Sequence, residues 1–225
     1  MESGTEIKSL RKYLYVWGML MISCASTGTW ANMGEGELIS AAGAGNLSRV
    51  KALLATRVNV NARGADGTTA LITASQNGYE EVVQMLLEAK ADVNAKTNNG
   101  TTALMRAAQH GYGKVAQALL AARADVNARK DDGITVLMQA SQEGRPEIVQ
   151  MLLVAGADVD ARLKNGATAL MLASQIGHAG VVQALLAGGA DVNAKAGNGA
   201  TALMLASKYR HQDVTRYLKE AGAKP

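Results

Sequence analysis

The sequence predicts an all-α solenoid: six copies of one helix–turn–helix unit, each joined to the next by a hairpin-like turn. Three observations predict it. The first is a fixed period. Gly166–Asn198 reads GATALMLASQIGHAGVVQALLAGGADVNAKAGN, and Gly100–Asp132 reads GTTALMRAAQHGYGKVAQALLAARADVNARKDD. The stretches 34–66, 67–99, 133–165 and 199–225 fall into the same register without a gap. One column is Leu38, Leu71, Leu104, Leu137, Leu170 and Leu203; another is Leu53, Leu86, Leu119, Leu152, Leu185 and Leu218. A period of this size marks a repeat array. Second, apolar residues recur at helical spacing in two short blocks per copy, with a glycine between them in five of the six. Third, a run of turn-forming residues rich in Gly, Asn and Asp follows the second block.

Residues 1–33 lie outside the period. Lys8, Arg11 and Lys12 precede the apolar run 13–22, and Ser23-Cys24-Ala25-Ser26 follows it. A charged start, a short apolar core and a small-residue exit are the layout of a secretory signal peptide. The run is about half the roughly 20 residues that a membrane-spanning helix needs. Residues 1–31 are therefore expected to be an export leader. Glu2 and Glu6 dilute its charged start, as a start codon placed too early would. Cys24 is the only cysteine, so no intrachain disulfide is available. Met21-Ile22-Ser23-Cys24 resembles a bacterial lipoprotein box, which would put a lipid on Cys24. Cuts after Ala25 or Ala31 compete with it and would release a soluble exported protein. An apolar N-terminal helix that caps the array is the remaining alternative.

Unit 67–99 justifies the elements of every copy. Thr69 can cap a helix through Ala70–Gln76, in which Leu71 and Ala74 share a face. Gly78 can close it in the left-handed conformation. The second helix runs through Val82–Leu87 with one broad apolar stripe. Ala91–Ala95 and the Gly/Asn/Asp run then turn the chain into Gly100. One such pair cannot bury both its helices, whereas stacked neighbours can. The two end units carry charge, as caps should. In the first, Glu35 and Glu37 suit the start of a helix at Glu37–Ala42, and Lys51 replaces the glutamine of Gln84, Gln117, Gln150 and Gln183. In the last, Arg210 stands where the other units keep Gly45, Gly78, Gly111, Gly144 and Gly177. The array is expected to end there.

These residues resemble the ankyrin repeat, whose pattern G-x-T-P-L-H-x-A-A-x-x-G…V-x-x-L-L…G-A-D-V-N-A runs through residues 34–225. The departures are regular. The family's Pro is Ala70, Ala103, Ala169 or Ala202, or Val136; its His is Ile72, Met105, Met138, Met171 or Met204. The resemblance implies a left-handed glycine before Ala-Asp. Gly156 and Gly189 keep it, while Arg57, Lys90 and Arg123 replace it. It also implies a monomeric protein-binding scaffold that works through the turn tips and the ends of the first helices.

Composition fits a folded chain: 48 % hydrophobic residues, 4 % aromatics, two prolines and no Phe make a core of Leu, Val, Ala and Met. The net charge of +4 is mild and no basic patch is interleaved with aromatics, so nucleic acid is not the expected partner. No G-x-S-x-G elbow and no phosphate-binding loop occurs, so neither an enzyme nor a cofactor is expected. His178 and His211 share a column and His110 does not, so no zinc set assembles; the pair reads as solvated surface histidines. Asp92, Asp125, Asp158 and Asp191 repeat in one column and read as turn residues. The methionine column reads as core filling rather than as an adaptable binding surface.

The expected partner surface follows from the resemblance. The tip of unit two with the first helix of unit three gives Lys96, Asn98, Thr101, Gln109 and His110. The next such set is Arg129, Lys130, Asp132, Ile134, Gln142 and Glu143. Then come Arg162, Lys164, Gln175 and Ile176, and last Lys195, Lys208 and Tyr209. Arg63, Lys96, Arg129, Arg162 and Lys195 form a basic ladder with one rung per unit. It is either a solubilising column or a cationic stripe for an acidic protein. The expectation is a protein-binding scaffold in the bacterial envelope. The alternatives are an accessory that stabilises or tethers an envelope enzyme, and a secreted effector that binds a host protein.

Overall fold

The computed structural model describes residues 27–224. They form twelve helices: α1 Thr27–Gly43, α2 Leu47–Ala55, α3 Ala70–Asn77, α4 Glu80–Glu88, α5 Ala103–His110, α6 Gly113–Ala121, α7 Val136–Gln142, α8 Pro146–Val154, α9 Ala169–Ile176, α10 Ala179–Ala187, α11 Ala202–Lys208 and α12 Gln212–Glu220. Among the described residues there is no strand, only an isolated bridge between Arg129 and Thr135. The odd-numbered helices pack side by side in one row, the even-numbered helices in a second. The first row is the more closely packed, so the array bends with the odd helices on its inner side.

In units two to six the start of the first helix is set by one side chain. Thr69, Thr102, Thr135, Thr168 and Thr201 are extended, and each hydroxyl accepts the amide N–H three residues on at 3.2–3.4 Å. This cap does the work of the missing proline. The first unit has Gly36 in that column. With no hydroxyl to stop it, α1 begins at Thr27, well before the start expected at Glu37. Of the expected leader, residues 1–26 with Cys24 lie outside the described residues, while 27–31 open α1.

Both leucine columns are buried throughout the array, and Ile72, Met105, Met138 and Met171 are sealed between units. The core-filling expectation fails at one place: Met204 is 47 % exposed, because among the described residues no further helix pair packs on unit six.

Two inter-unit devices set the stacking. In one, the side-chain oxygens of Asn61, Asn94, Asn127, Asp160 and Asn193 accept the backbone N–H of Asp92, Asp125, Asp158, Asp191 and Lys224 at 2.7–2.9 Å. Asn127 also donates to the Gly156 carbonyl at 3.2 Å. In the other, a ring or guanidinium of the following unit lies over each helix-closing glycine. A Cβ at Gly177, where φ is +96°, would sit 2.5 Å from His211 Nδ1. Arg210, at φ 61°, takes that place in the last unit, where no such ring follows. His178 and His211 are therefore not free surface groups. Each is half-buried, with Nε2 2.9 Å from the Gln142 carbonyl or 3.0 Å from the Gln175 carbonyl.

Arg57, Lys90 and Arg123 have φ of 60–66°, in the region Gly156 and Gly189 occupy at 89° and 85°. A side chain there costs about 1 kcal/mol. Lys90→Gly and Arg123→Gly should each raise the melting temperature by roughly 2–4 °C; calorimetry on the full chain reads this, and unchanged melting in both would show that the side chains offset their strain. Asn127→Ala should cost about 1–2 kcal/mol by removing both bonds across the interface. Asn127→Asp keeps the acceptor, as Asp160 does naturally, and should cost less in the same melts.

Candidate functional site

The turn tips are built by short local hydrogen bonds. The carboxylate or amide oxygens of Asp66, Asn99, Asp132, Asn165 and Asn198 accept the N–H two residues on at 2.9–3.2 Å. The Thr68 hydroxyl and amide both donate to Asp66 and hold its carboxyl below the usual value. Each tip closes with a backbone bond such as Thr97 N–H to Thr101 C=O at 2.9 Å or Ala196 N–H to Ala200 C=O at 2.9 Å. Neighbouring tips are tied as well: Asn98 N–H donates to Asp66 C=O at 2.8 Å, and Gly197 N–H to Asn165 C=O at 2.7 Å.

The basic ladder has a structural half. Arg63 donates to the Lys96 carbonyl, Arg129 to the Arg162 carbonyl at 3.2 Å, and Arg162 to the Lys195 carbonyl at 2.9 Å. Each arginine thus braces its own unit to the next while its charge stays exposed. Lys96 and Lys195 make no ion pair among the described residues.

The other expected surface residues sort by environment. Lys164, His110, Glu143, Gln175, Ile176, Lys208 and Tyr209 are exposed, and Gln109, Lys130, Ile134 and Gln142 are half-buried. Lys130 pairs with the exposed Asp132 at 3.6 Å, and Lys208 Nζ lies 5.4 Å over the Tyr209 ring. The exposed Asn98 donates to the Ala65 carbonyl at 3.1 Å, so part of its side chain is spent on the tip. Thr101 does not belong to the surface. It is 3 % exposed, and its hydroxyl donates to Asn99 Oδ1 at 2.7 Å, which turns it into its own loop. Among the described residues no group of three or more His, Cys, Asp and Glu is placed to hold a metal.

Sequence reasoning passed over one column of the inner helices: Ser40, Thr73, Arg106, Gln139, Leu172 and Leu205. It lies three residues before Gly43, Gln76, Gln109, Gln142, Gln175 and Lys208, hence on the same helix face. Arg106 is half-buried, donates to Gln109 Oε1 at 3.2 Å, and keeps its Nε buried without a partner. The signal was present in the sequence. The two leucine columns hold one residue type, whereas this column changes in character along the array.

No curated protein matches the chain. The family model for ankyrin repeats (3 copies) matches twice in succession, over residues 38–130 and 131–225. That pair of matches spans most of the sequence and all six helix pairs. Ankyrin repeats are in general protein–protein interaction modules rather than enzymes, and this chain belongs to the ankyrin-repeat family.

Proposed function

We propose that the chain is a non-catalytic scaffold of the bacterial envelope that holds an acidic partner protein along its inner strip of turn tips and first-helix ends. The observation that carries this reading is the ladder. Lys96, Arg129, Arg162 and Lys195 are all exposed, stand at equivalent places on successive units, and keep their charge unneutralised among the described residues. Equivalent residues on stacked units form a line, and a line of like charge raises the rate of encounter with an opposite ridge. His110, Glu143 and Gln175 at the neighbouring helix ends would add short-range selectivity. Export rests on the leader at residues 1–31, and attachment to a membrane on a lipid at Cys24.

The two lysines are the cleaner place to test the ladder, because Arg129 and Arg162 also brace neighbouring units. Lys96→Glu with Lys195→Glu should leave melting nearly unchanged. It should abolish capture of an envelope partner, and wild-type capture should fade as salt rises, since exposed charges are screened over about 8 Å at physiological ionic strength. The same proteins captured by both forms, with the same salt response, would reduce the ladder to a solubilising column. A captured envelope enzyme would assign the chain as its accessory, and capture only from host extract would assign it as an effector. For the leader, Cys24→Ser should move the protein from the membrane to the soluble exported fraction. Mass spectrometry of the mature N-terminus checks this; an intact Met1 on purely cytoplasmic protein ends the export proposal.

A further inference from the structure

Between units five and six the inner strip opens into a cleft of about 290 Å³. Leu172 and Leu205 line it together with Ala167, Ala196, Gly197 and Ala200. Its origin is local. At the tip that leads into unit six, unit five places Ala196 and Gly197 where units two and three carry Thr97-Asn98 and Lys130-Asp131. The inner column changes at the same place, from Thr73, Arg106 and Gln139 to the two leucines. Small residues thus remove the cover and leucines supply the lining, and both changes fall on the same pair of units.

The charge around this cleft has one sign. Lys164 adjoins the lining residue Asn165, Lys195 adjoins Ala196, and Lys208 lies one helical turn beyond Leu205 on the same face. None of the three is in an ion pair among the described residues. From 161 to 211 the sequence has a single carboxylate, Asp191, which accepts the Asn193 N–H within its own turn at 2.9 Å. The carboxylates of the strip, Asp66, Asp131, Asp132 and Glu143, belong to units one, three and four.

We propose that this cleft seats an apolar side chain of an extended partner segment whose flanking residues are Asp or Glu, which meet Lys164, Lys195 and Lys208. An apolar wall takes the side chain, and the uncompensated ammonium groups select its neighbours. The proposal rests on the reading of the inner strip as the working surface and places the anchor of that surface in units five and six.

The test selects random linear displayed peptides on the full-length chain. Enriched peptides should share a Leu-sized or aromatic residue set among Asp and Glu. Leu172→Gln with Leu205→Gln should weaken a synthetic enriched peptide by roughly tenfold or more in fluorescence polarisation. The fold tolerates this change, because Gln139 already occupies the same column in unit four; unchanged melting confirms it. Lys164→Glu with Lys208→Glu should weaken the same peptide and flatten its salt dependence, whereas Lys96→Glu alone should leave it unaffected. Peptides without carboxylates, or peptides indifferent to both double variants, overturn the proposal. So does binding to anionic phospholipid vesicles that depends on the lysines and ignores the leucines. Peptides lost with Lys96→Glu but retained by the leucine pair would remove the cleft and leave the ladder reading standing. The ladder fails by its own measurement, the salt response of partner capture.

Discussion

The structure depends on one constraint: a helix pair of this size cannot bury its own apolar residues. Apart from α1, the helices have seven to nine residues, short of the roughly 12–15 at which an isolated helix becomes even marginal in water. Their stability is therefore tertiary. A leucine such as Leu137 is sealed by its own pair and by the pairs on either side. Met204 shows the constraint from the open end. It has the sequence context of Met171, yet stands half exposed, because among the described residues only one neighbouring unit packs on its own.

Burial alone would let units slide or twist, since it has no direction. The Asn ladder supplies direction: a side-chain oxygen of one unit holds a backbone N–H of the next at nearly constant distance along the array. The ring of the following unit lying on a glycine is a second, steric register mark. It excludes a Cβ wherever the following unit packs on the glycine, and Arg210 stands at the one equivalent place with no following unit among the described residues. The arginine rungs add a third tie at the tips. Together these ties place equivalent side chains in straight columns, and that geometry lets a column of charges act as one surface.

Structural demands consume most columns and leave few free. Threonine caps, leucines, turn glycines and bridging asparagines hardly vary among units two to five. The tips and the inner face of the odd helices vary, as do outer positions such as Glu80, Gly113, Pro146 and Ala179. On the inner face the character shifts along the array, from Thr73 and Arg106 to Leu172 and Leu205.

The sequence by itself determined the repeat, the threonine caps of the first helices from Thr69 onward and the left-handed sites, Lys90 and Arg123 included. Each of these follows from local chemistry repeated in register. It determined the basic ladder as a column too, because the period alone aligns the rungs. Only the tertiary structure decided what the aligned groups touch. It turned Thr101 inward, tied His178 and His211 to carbonyls of the preceding unit, gave Arg129 and Arg162 a bracing role, and opened a cleft beside Leu172. The reason is physical. Periodicity says which residues share a column, but burial and hydrogen bonding depend on the unit next door, and at the ends of the array there is none. The long start of α1 and the exposure of Met204 are the two places where that difference is plainest.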